Sequence, residues 1–305
     1  MGDIDGAVIA ARGVTKAYGA VRALEGVDLD VARGEVFALL GPNGAGKTSL
    51  VEIMEGYRSR DGGEISVLGE DPARAGRRFR ERIGIVLQSS SAARYLTVAE
   101  TIDLYRGYFP HPRPLNEVID VVGLADKRDE RVLRLSGGQG RRLDVAIGLA
   151  GDPELLFLDE PTTGFDPGAR RGAWEMVRGL RDLGKTVLLT THYMDEAEHL
   201  ADRVAIIARG RIIARGRPSD LVRERSIVRF RAGTSMPPLY DGVSAVPGED
   251  GWLEIEAPDV TRLLHALTSW AVARGQSLEG LTVRHESLED AYLRLTASAE
   301  ETAHE

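Results

Sequence analysis

Three short stretches carry residue types suited to handling a charged oxyanion. The first is GPNGAGKTS, which fits the pattern G-x4-G-K-[ST] and lies between an apolar run, EVFALL, and a segment of helical character. A loop over Gly41, Pro42, Asn43, Gly44, Ala45 and Gly46 is glycine-rich enough for its backbone N–H groups to curl around a phosphate chain. Lys47 would reach the β- and γ-phosphates, Thr48 would offer its hydroxyl to Mg²⁺, and Ser49 closes the motif. A helix starting near Lys47 would point its positive end at the same anion. The second stretch is LLFLDE, where Asp159 emerges from an apolar strand in the place of a metal-holding carboxylate. Glu160 follows, and a second carboxylate beside the γ-phosphate suits a general base that polarises water. The third is LSGGQ. Ser136 and the N–H groups around Gly137 and Gly138 would form another anion site at a helix start, one without a lysine of its own.

These residues need a framework. EVFALL, ELLFLDE and TVLLTTH are continuous apolar runs of the buried-strand type, and helical spacing lies between them. That alternation predicts an α/β domain with a parallel sheet. AVIAARGVTKAY and VRALEGVDLDVARG read as strands, and GGEISVLG and RIGIVLQ as shorter ones. Residues about 97–150 change to helical character and form an insertion. A helix is expected near 168–183, and DRVAIIARGRIIARG reads as a hairpin turning at Arg209-Gly210. A boundary falls near 217–226. Beyond it, SIVRFRA, WLEIEA and LTVR look like strands. A helix should end at Gly275, and a last helix should open on a cap made by Ser287 and Asp290. The tail is therefore expected to be a small C-terminal α+β domain, giving domains 1–222 and 226–305.

The composition narrows the class. The chain has 305 residues, 43% hydrophobic and 28% charged, and no apolar run approaches the roughly 20 residues of a membrane span. The N-terminal stretch has no basic segment ahead of an apolar core, so a secretory signal is not expected. The absence of cysteine removes disulfides, thiolate catalysis and thiolate metal sites, and the six histidines show no ligand spacing. The net charge is -8, and residues 225–305 hold 7 Arg, no Lys and 13 acidic residues. No long basic stripe is present, so nucleic acid is not the expected partner.

Taken in order, GPNGAGKTS, LSGGQ, LLFLDE and a lone histidine after a strand, in LLTTHYMDEAEHLADR, resemble the nucleotide-binding subunit of an ABC transporter. The likeness runs from about residue 7 to 222. The closing SLEDAYLRLT resembles, over a shorter stretch, drug-exporter ATPases of the daunorubicin-resistance type. The fold implied is a phosphate-loop NTPase core with an antiparallel β subdomain and a helical insertion. The resemblance implies that Tyr18 stacks on adenine, that Gln88 senses Mg²⁺ and the membrane partner, and that His192 contacts the γ-phosphate. It also implies that Leu135, Ser136, Gly137, Gly138 and Gln139 bind ATP held by a partner chain, with Asp166 in a loop crossing the interface. Two chains head to tail would then make two whole ATP sites.

The function implied is ATP hydrolysis that powers a separate integral membrane permease. The chain would sit at the cytoplasmic face of the membrane, cargo would bind the permease, and export of a hydrophobic small molecule is favoured. Lys47, Glu160 and His192 would be catalytic, and Thr48, Gln88 and Asp159 would hold Mg²⁺. An alternative is a soluble ABC ATPase acting on the ribosome or nucleic acid, but such proteins usually carry two cassettes or long coiled coils, and this chain has neither. A regulatory ATP-binding module with little hydrolysis is opposed by the intact Lys47, Asp159, Glu160 and His192. Two positions depart from the family pattern: Gly140 stands where a longer or charged residue is usual, and Phe165 where Leu is. Arg141 and Arg142 are expected on a solvated helix face or at the closed dimer.

Overall fold

The computed structural model describes residues 6–87, 94–223, 225–231, 239, 243–247 and 251–302. The chain divides into two compact units: one runs to Pro218 and takes in the residues from Ala299, and the other is Ser219–Ser298.

In the first unit, β1 (Ala7–Tyr18) and β2 (Val21–Ala32) form an antiparallel pair. Next come β3 (Val36–Leu40), α1 (Lys47–Met54) and β4 (Gly62–Val67), and β4 returns to the other edge of β1. The result is a three-stranded antiparallel sheet of order β2-β1-β4. After α2 (Arg77–Arg82) and β5 (Ile83–Val86) the helical block contains α3 (Val98–Arg106), α4 (Leu115–Val121) and α5 (Gly137–Leu149). The chain then alternates through β6 (Leu155–Asp159), α6 (Pro167–Asp182), β7 (Thr186–Thr191) and α7 (Met194–Leu200). It closes with the hairpin β8 (Arg203–Ala208) and β9 (Arg211–Gly216), which turns at Arg209-Gly210; the single turn α8 (Pro218–Leu221) begins on Pro218 and continues into the second unit.

The main sheet has six strands in the order β5-β6-β7-β3-β8-β9, and only β9 runs antiparallel to its neighbour. β3 and β7 are buried at every residue, which is why their sequences are unbroken apolar or threonine runs without alternation. One continuous apolar cluster, including Val27, Leu29, Phe37, Leu50, Phe157 and Ile207, joins the antiparallel sheet, α1 and the main sheet. The phosphate-loop residues, Asp159, Glu160 and His192 lie at the C-terminal ends of β3, β6 and β7 or on the loops that follow, where ligands bind in open α/β sheets.

The second unit contains β10 (Ser226–Arg231), β11 (Ser244–Pro247), β12 (Trp252–Ala257), α9 (Val260–Ala273), β13 (Glu279–His285) and, as far as Ser298, α10 (Leu288–Thr302). Its four strands are antiparallel in the order β11-β12-β10-β13. Val228, Phe230, Leu253 and Ile255 pack there with Leu263 and Leu267 of α9. Gly275 follows α9 at φ 60, a left-handed end suited to glycine. The cap at the start of α10 is reciprocal: Ser287 N–H donates to Asp290 Oδ2 at 2.8 Å, and Asp290 N–H donates to Ser287 Oγ at 3.3 Å. β11, four residues long and ending in proline, is a strand that the sequence reading did not contain.

Candidate functional site

The glycine-rich turn leaves β3 and enters α1 at Lys47. Two glycines there are steric necessities. A Cβ on Gly41 would lie 2.4 Å from the carbonyl oxygen of Ile207, and one on Gly46 would lie 2.4 Å from that of Ala23. Gly46 also sits at φ 108, which side-chain-bearing residues avoid. Lys47 is buried and folds back over the loop, its Nζ donating to Gly41 O at 2.7 Å and Pro42 O at 3.1 Å. Burial pulls the lysine below its ordinary range, while Glu160 and Asp159 work in the opposite direction. A cavity of about 340 Å³ opens here, bounded by Asn43, Gly44, Lys47, Thr48, Asp159 and Glu160, with Gly46 and Ser49 also on its wall.

The acidic pair is held by β6 and β7. Asp159 ends β6, and its Oδ1 accepts from Thr190 Oγ1 at 2.5 Å. Glu160 takes φ 45, a left-handed conformation that costs a non-glycine residue about 1–2 kcal/mol. Its N–H donates to Thr190 O at 3.1 Å and Thr190 Oγ1 at 3.2 Å, so the neighbouring strand fixes the turn. Its carboxylate accepts from Thr163 Oγ1 at 3.0 Å and lies 3.1 Å from His192 Nδ1. His192 follows β7 directly, partly exposed, with its ring 4.1 Å from that of Tyr193. Strain at a carboxylate facing a polar cavity is the pattern of a working site.

A hydroxyl on Thr48 and a carboxylate on Asp159, both bordering one cavity, are hard oxygen donors. They fit Mg²⁺, which takes few protein ligands and relies on water and phosphate oxygens for the rest. Among the described residues no group of three or more His, Cys, Asp or Glu side chains is placed to hold a metal ion.

LSGGQ lies elsewhere. Ser136 caps α5 in a reciprocal box: its Oγ accepts from Gln139 N–H at 3.3 Å, and Ser136 N–H donates to Gln139 Oε1 at 3.0 Å. The first N–H groups of a helix have no partner inside it, so Gly137 and Gly138 offer donors at this positive end. Leu135 precedes the cap, half-buried. Ser136, Gly137 and Gly138 border a second cavity, of about 780 Å³, together with Thr163, Phe165 and Asp166. Among the described residues, Glu160 alone borders both this cavity and that of the phosphate loop. Asp166 caps α6 by accepting from Gly168 and Ala169 N–H at 2.8 and 2.9 Å, and those backbone bonds hold its carboxyl below the usual range. Gly140 is in the first turn of α5, with open space where a Cβ would stand, and the large cavity reaches it. Its glycine widens that cavity.

Tyr18 ends β1 half-exposed, its hydroxyl 3.2 Å from Ser49 Oγ and the Arg58 guanidinium 5.2 Å from its ring centre. Gln88 lies outside the described residues. The solvated-face reading of Arg141 is wrong. Its side chain is only 7% exposed and donates to the carbonyls of Leu87 and Asp159. Arg142 donates to Gly123 O at 3.3 Å. Thr190 and Thr163, which hold the two acids, were absent from the sequence reading, because a threonine beside a motif carries no signal until the strands are paired.

The family model described as ABC transporter matches residues 24–163, and that of the C-terminal domain of ABC transporter domain-containing protein-like chains matches residues 230–287. The Nod factor export ATP-binding protein I of Sinorhizobium fredii is 41% identical over 297 residues, covering 93% of this chain and 84% of the relative. The daunorubicin resistance ATP-binding protein DrrA2 of Streptomyces coeruleorubidus is 38% identical over 312 residues, covering 96% of each. Among solved structures, cbiO1 of Clostridium perfringens, part of the ABC transporter complex cbiONQ, superposes with a TM-score of 0.63 at 28% identity. That match spans 71% of this chain and 91% of the other.

Proposed function

The chain belongs to the family of ABC transporter ATP-binding proteins, ATP-hydrolysing cassettes, and from that premise we propose how its residues work and what it serves. Two copies bind two ATP head to tail. In each, Tyr18 stacks on the adenine, the loop from Gly41 to Ser49 cradles the phosphates, and Lys47 meets the β- and γ-phosphates. Thr48, Asp159 and Gln88 would hold Mg²⁺, which would supply neutralisation of phosphate charge. Leu135 to Gln139 and Asp166 of one chain close over the nucleotide of the other. Glu160 draws a proton from water as its oxygen attacks the γ-phosphorus. The bond to the ADP oxygen breaks, and ADP and phosphate leave. His192 holds the γ-phosphate through the step.

One observation carries this reading. The lysine and the LSGGQ donors open onto different cavities of the same chain. The cavity of the phosphate loop lacks the Ser136 donors and that of LSGGQ lacks the lysine, and apposing two chains would supply each with the other half. The test is Glu160→Gln. It should abolish steady-state hydrolysis and accumulate an ATP-dependent dimer in size-exclusion chromatography. Wild-type turnover by that variant overturns the assignment of the base.

Among the described residues no helix is long and apolar enough to cross a membrane. The membrane step then belongs to a separate permease, with this chain docked at its cytoplasmic side. Tyr95, Leu104 and Tyr108, exposed on or beside α3, are the apolar side chains that such a partner would cover. The names of the relatives, export and drug-resistance ATP-binding proteins, favour export of an apolar small molecule bound by the permease. In this reading residues 1–222 are the ATPase domain and 226–305 an accessory domain. Co-purification with a permease, followed by a cargo-stimulated ATPase assay, tests the assignment.

A further inference from the structure

We propose that Arg141 is a positioning residue that links the two ATP sites of the dimer, by fixing the LSGGQ turn of each chain to the strand ends that hold that chain's own nucleotide. The proposal rests on the head-to-tail reading above. It starts from an arginine that is buried where a helix surface was expected.

Arg141 lies on α5, in the second turn after the Ser136 cap. One guanidinium nitrogen donates to the carbonyl of Leu87, and the other donates to the carbonyl of Asp159 at 2.6 Å. One carbonyl directly follows β5 and the other ends β6, and these are adjacent parallel strands. Val86 at the end of β5 pairs with Leu158 of β6, so the guanidinium spans two neighbouring strand ends. The next residues along the chain are Gln88 and Glu160. The fork therefore touches the base of both segments expected to meet the γ-phosphate and Mg²⁺.

The chemistry of the bridge needs an arginine. A planar guanidinium presents parallel donors that reach two carbonyls at once, whereas lysine is a point donor on a flexible stem. Burial disfavours the charge, and Asp144, at 3.8 Å, with Asp159 and Glu196, offsets that cost. The carbonyl partners are neutral, so the contact is set by direction and distance more than by net charge. A shift of either strand end changes the donor geometry, and α5 must follow. Because α5 carries Ser136 at its start, the state of one nucleotide site reaches the LSGGQ donors that serve the other. Arg142 makes no such bridge; its bond to Gly123 stays within the helical insertion.

The test uses the full-length chain with Arg141→Gln, Arg141→Lys and Ser136→Arg. Four quantities are read: binding of a fluorescent ATP analogue, melting temperature, kcat, and the Hill coefficient of rate against ATP. For Arg141→Gln, analogue affinity should stay within about twofold while kcat falls about 10- to 100-fold, the scale for a misplacement near 1 Å. The Hill coefficient should fall to 1. Arg141→Lys should recover part of kcat but not the cooperativity. It also carries the test if the glutamine variant does not fold. Unchanged kcat and Hill coefficient overturn the proposal, and so does a rate loss that merely parallels lost binding and melting temperature. Normal hydrolysis by Ser136→Arg sinks the head-to-tail reading itself. An inactive Ser136→Arg beside a normal Arg141→Gln sinks only the link.

Discussion

Gly84→Ala should silence hydrolysis without touching the nucleotide loop. Gly84 is on β5, and a Cβ there would lie 2.4 Å from the carbonyl oxygen of Gly148, near the end of α5. It would also lie 3.0 Å from Leu156 Cδ2 and Pro153 Cγ. The backbone at Gly84 is not left-handed, so alanine is conformationally acceptable and the effect is steric. Ordinary contact begins at 3.4 Å, which leaves a shortfall of about 1 Å against a helix backbone. If α5 translates, Ser136 moves by the same about 1 Å. If it pivots where Arg141 anchors it, seven residues on one side and five on the other move Ser136 by about 0.7 Å, from the uniform rise of the helix. Either shift should lower kcat about 10- to 100-fold. The overpacking should cost about 1–3 kcal/mol, a melting temperature lower by about 2–10 °C. ATP binding should persist, because β6 and β7 separate β5 from the phosphate-loop strand. ATPase kinetics, differential scanning fluorimetry and analogue binding read these together. Gly148→Ala is the milder companion, since the closest atom its methyl would meet is the side-chain carbon Val86 Cγ2, at 2.9 Å, with Ile85 O and Leu156 Cδ2 at ordinary contact distances of 3.7 and 3.8 Å. Wild-type turnover and melting temperature in Gly84→Ala would refute the reasoning.

Gly46→Ala should abolish analogue binding and cost about 2–5 kcal/mol in urea unfolding, since a left-handed backbone and a clash with Ala23 O coincide. Glu55, buried near Asp159 and Glu52, keeps its proton up to about 8 when folded, chiefly because burial opposes its charge, against an ordinary 4.5. Between those values the native state holds the extra proton, so this residue makes stability fall as pH rises from 4.5 to about 8. Glu55→Gln should therefore raise the melting temperature at pH 8.5 and leave it nearly unchanged at pH 4.5; a pH series of thermal melts decides. Asp290, held at about 2 by Arg284 and the Ser287 cap against burial, stabilises the fold above its ordinary 3.8 and loses that effect as pH falls toward 2. Asp290→Ala should cost about 1 kcal/mol at pH 7, and its difference from the parent protein in thermal melts should shrink below pH 3.

Much of this architecture was legible because the signals are local. β3, β6 and β7 announce themselves as unbroken apolar runs, since a parallel strand covered on both faces has no polar side to alternate. The hairpin at Arg209-Gly210 and the caps at Ser136 and Ser287 are fixed by a few adjacent residues. What stayed hidden depends on contacts between distant segments. Thr190 touches Asp159 and Glu160 only once β6 and β7 pair. Gly84 and Gly148 look like unrelated weak points until α5 lies against β5. Arg141 sits in a run of polar residues, and periodicity assigns such a side chain to solvent. Its burial follows from two carbonyls that arrive from elsewhere in the chain.

The lysine of the phosphate loop has a second consequence. Lys47 bridges the carbonyls of Gly41 and Pro42, so it braces the loop from inside and sets its curvature before any anion contributes. Removing it takes away a strut as well as a charge. Weak nucleotide binding in Lys47→Ala would then mix two losses, Coulombic attraction and loop shape. Hydrogen exchange at Gly44 and Ala45 separates them: a loop that has lost its brace opens faster, whereas one that has lost only charge exchanges as before.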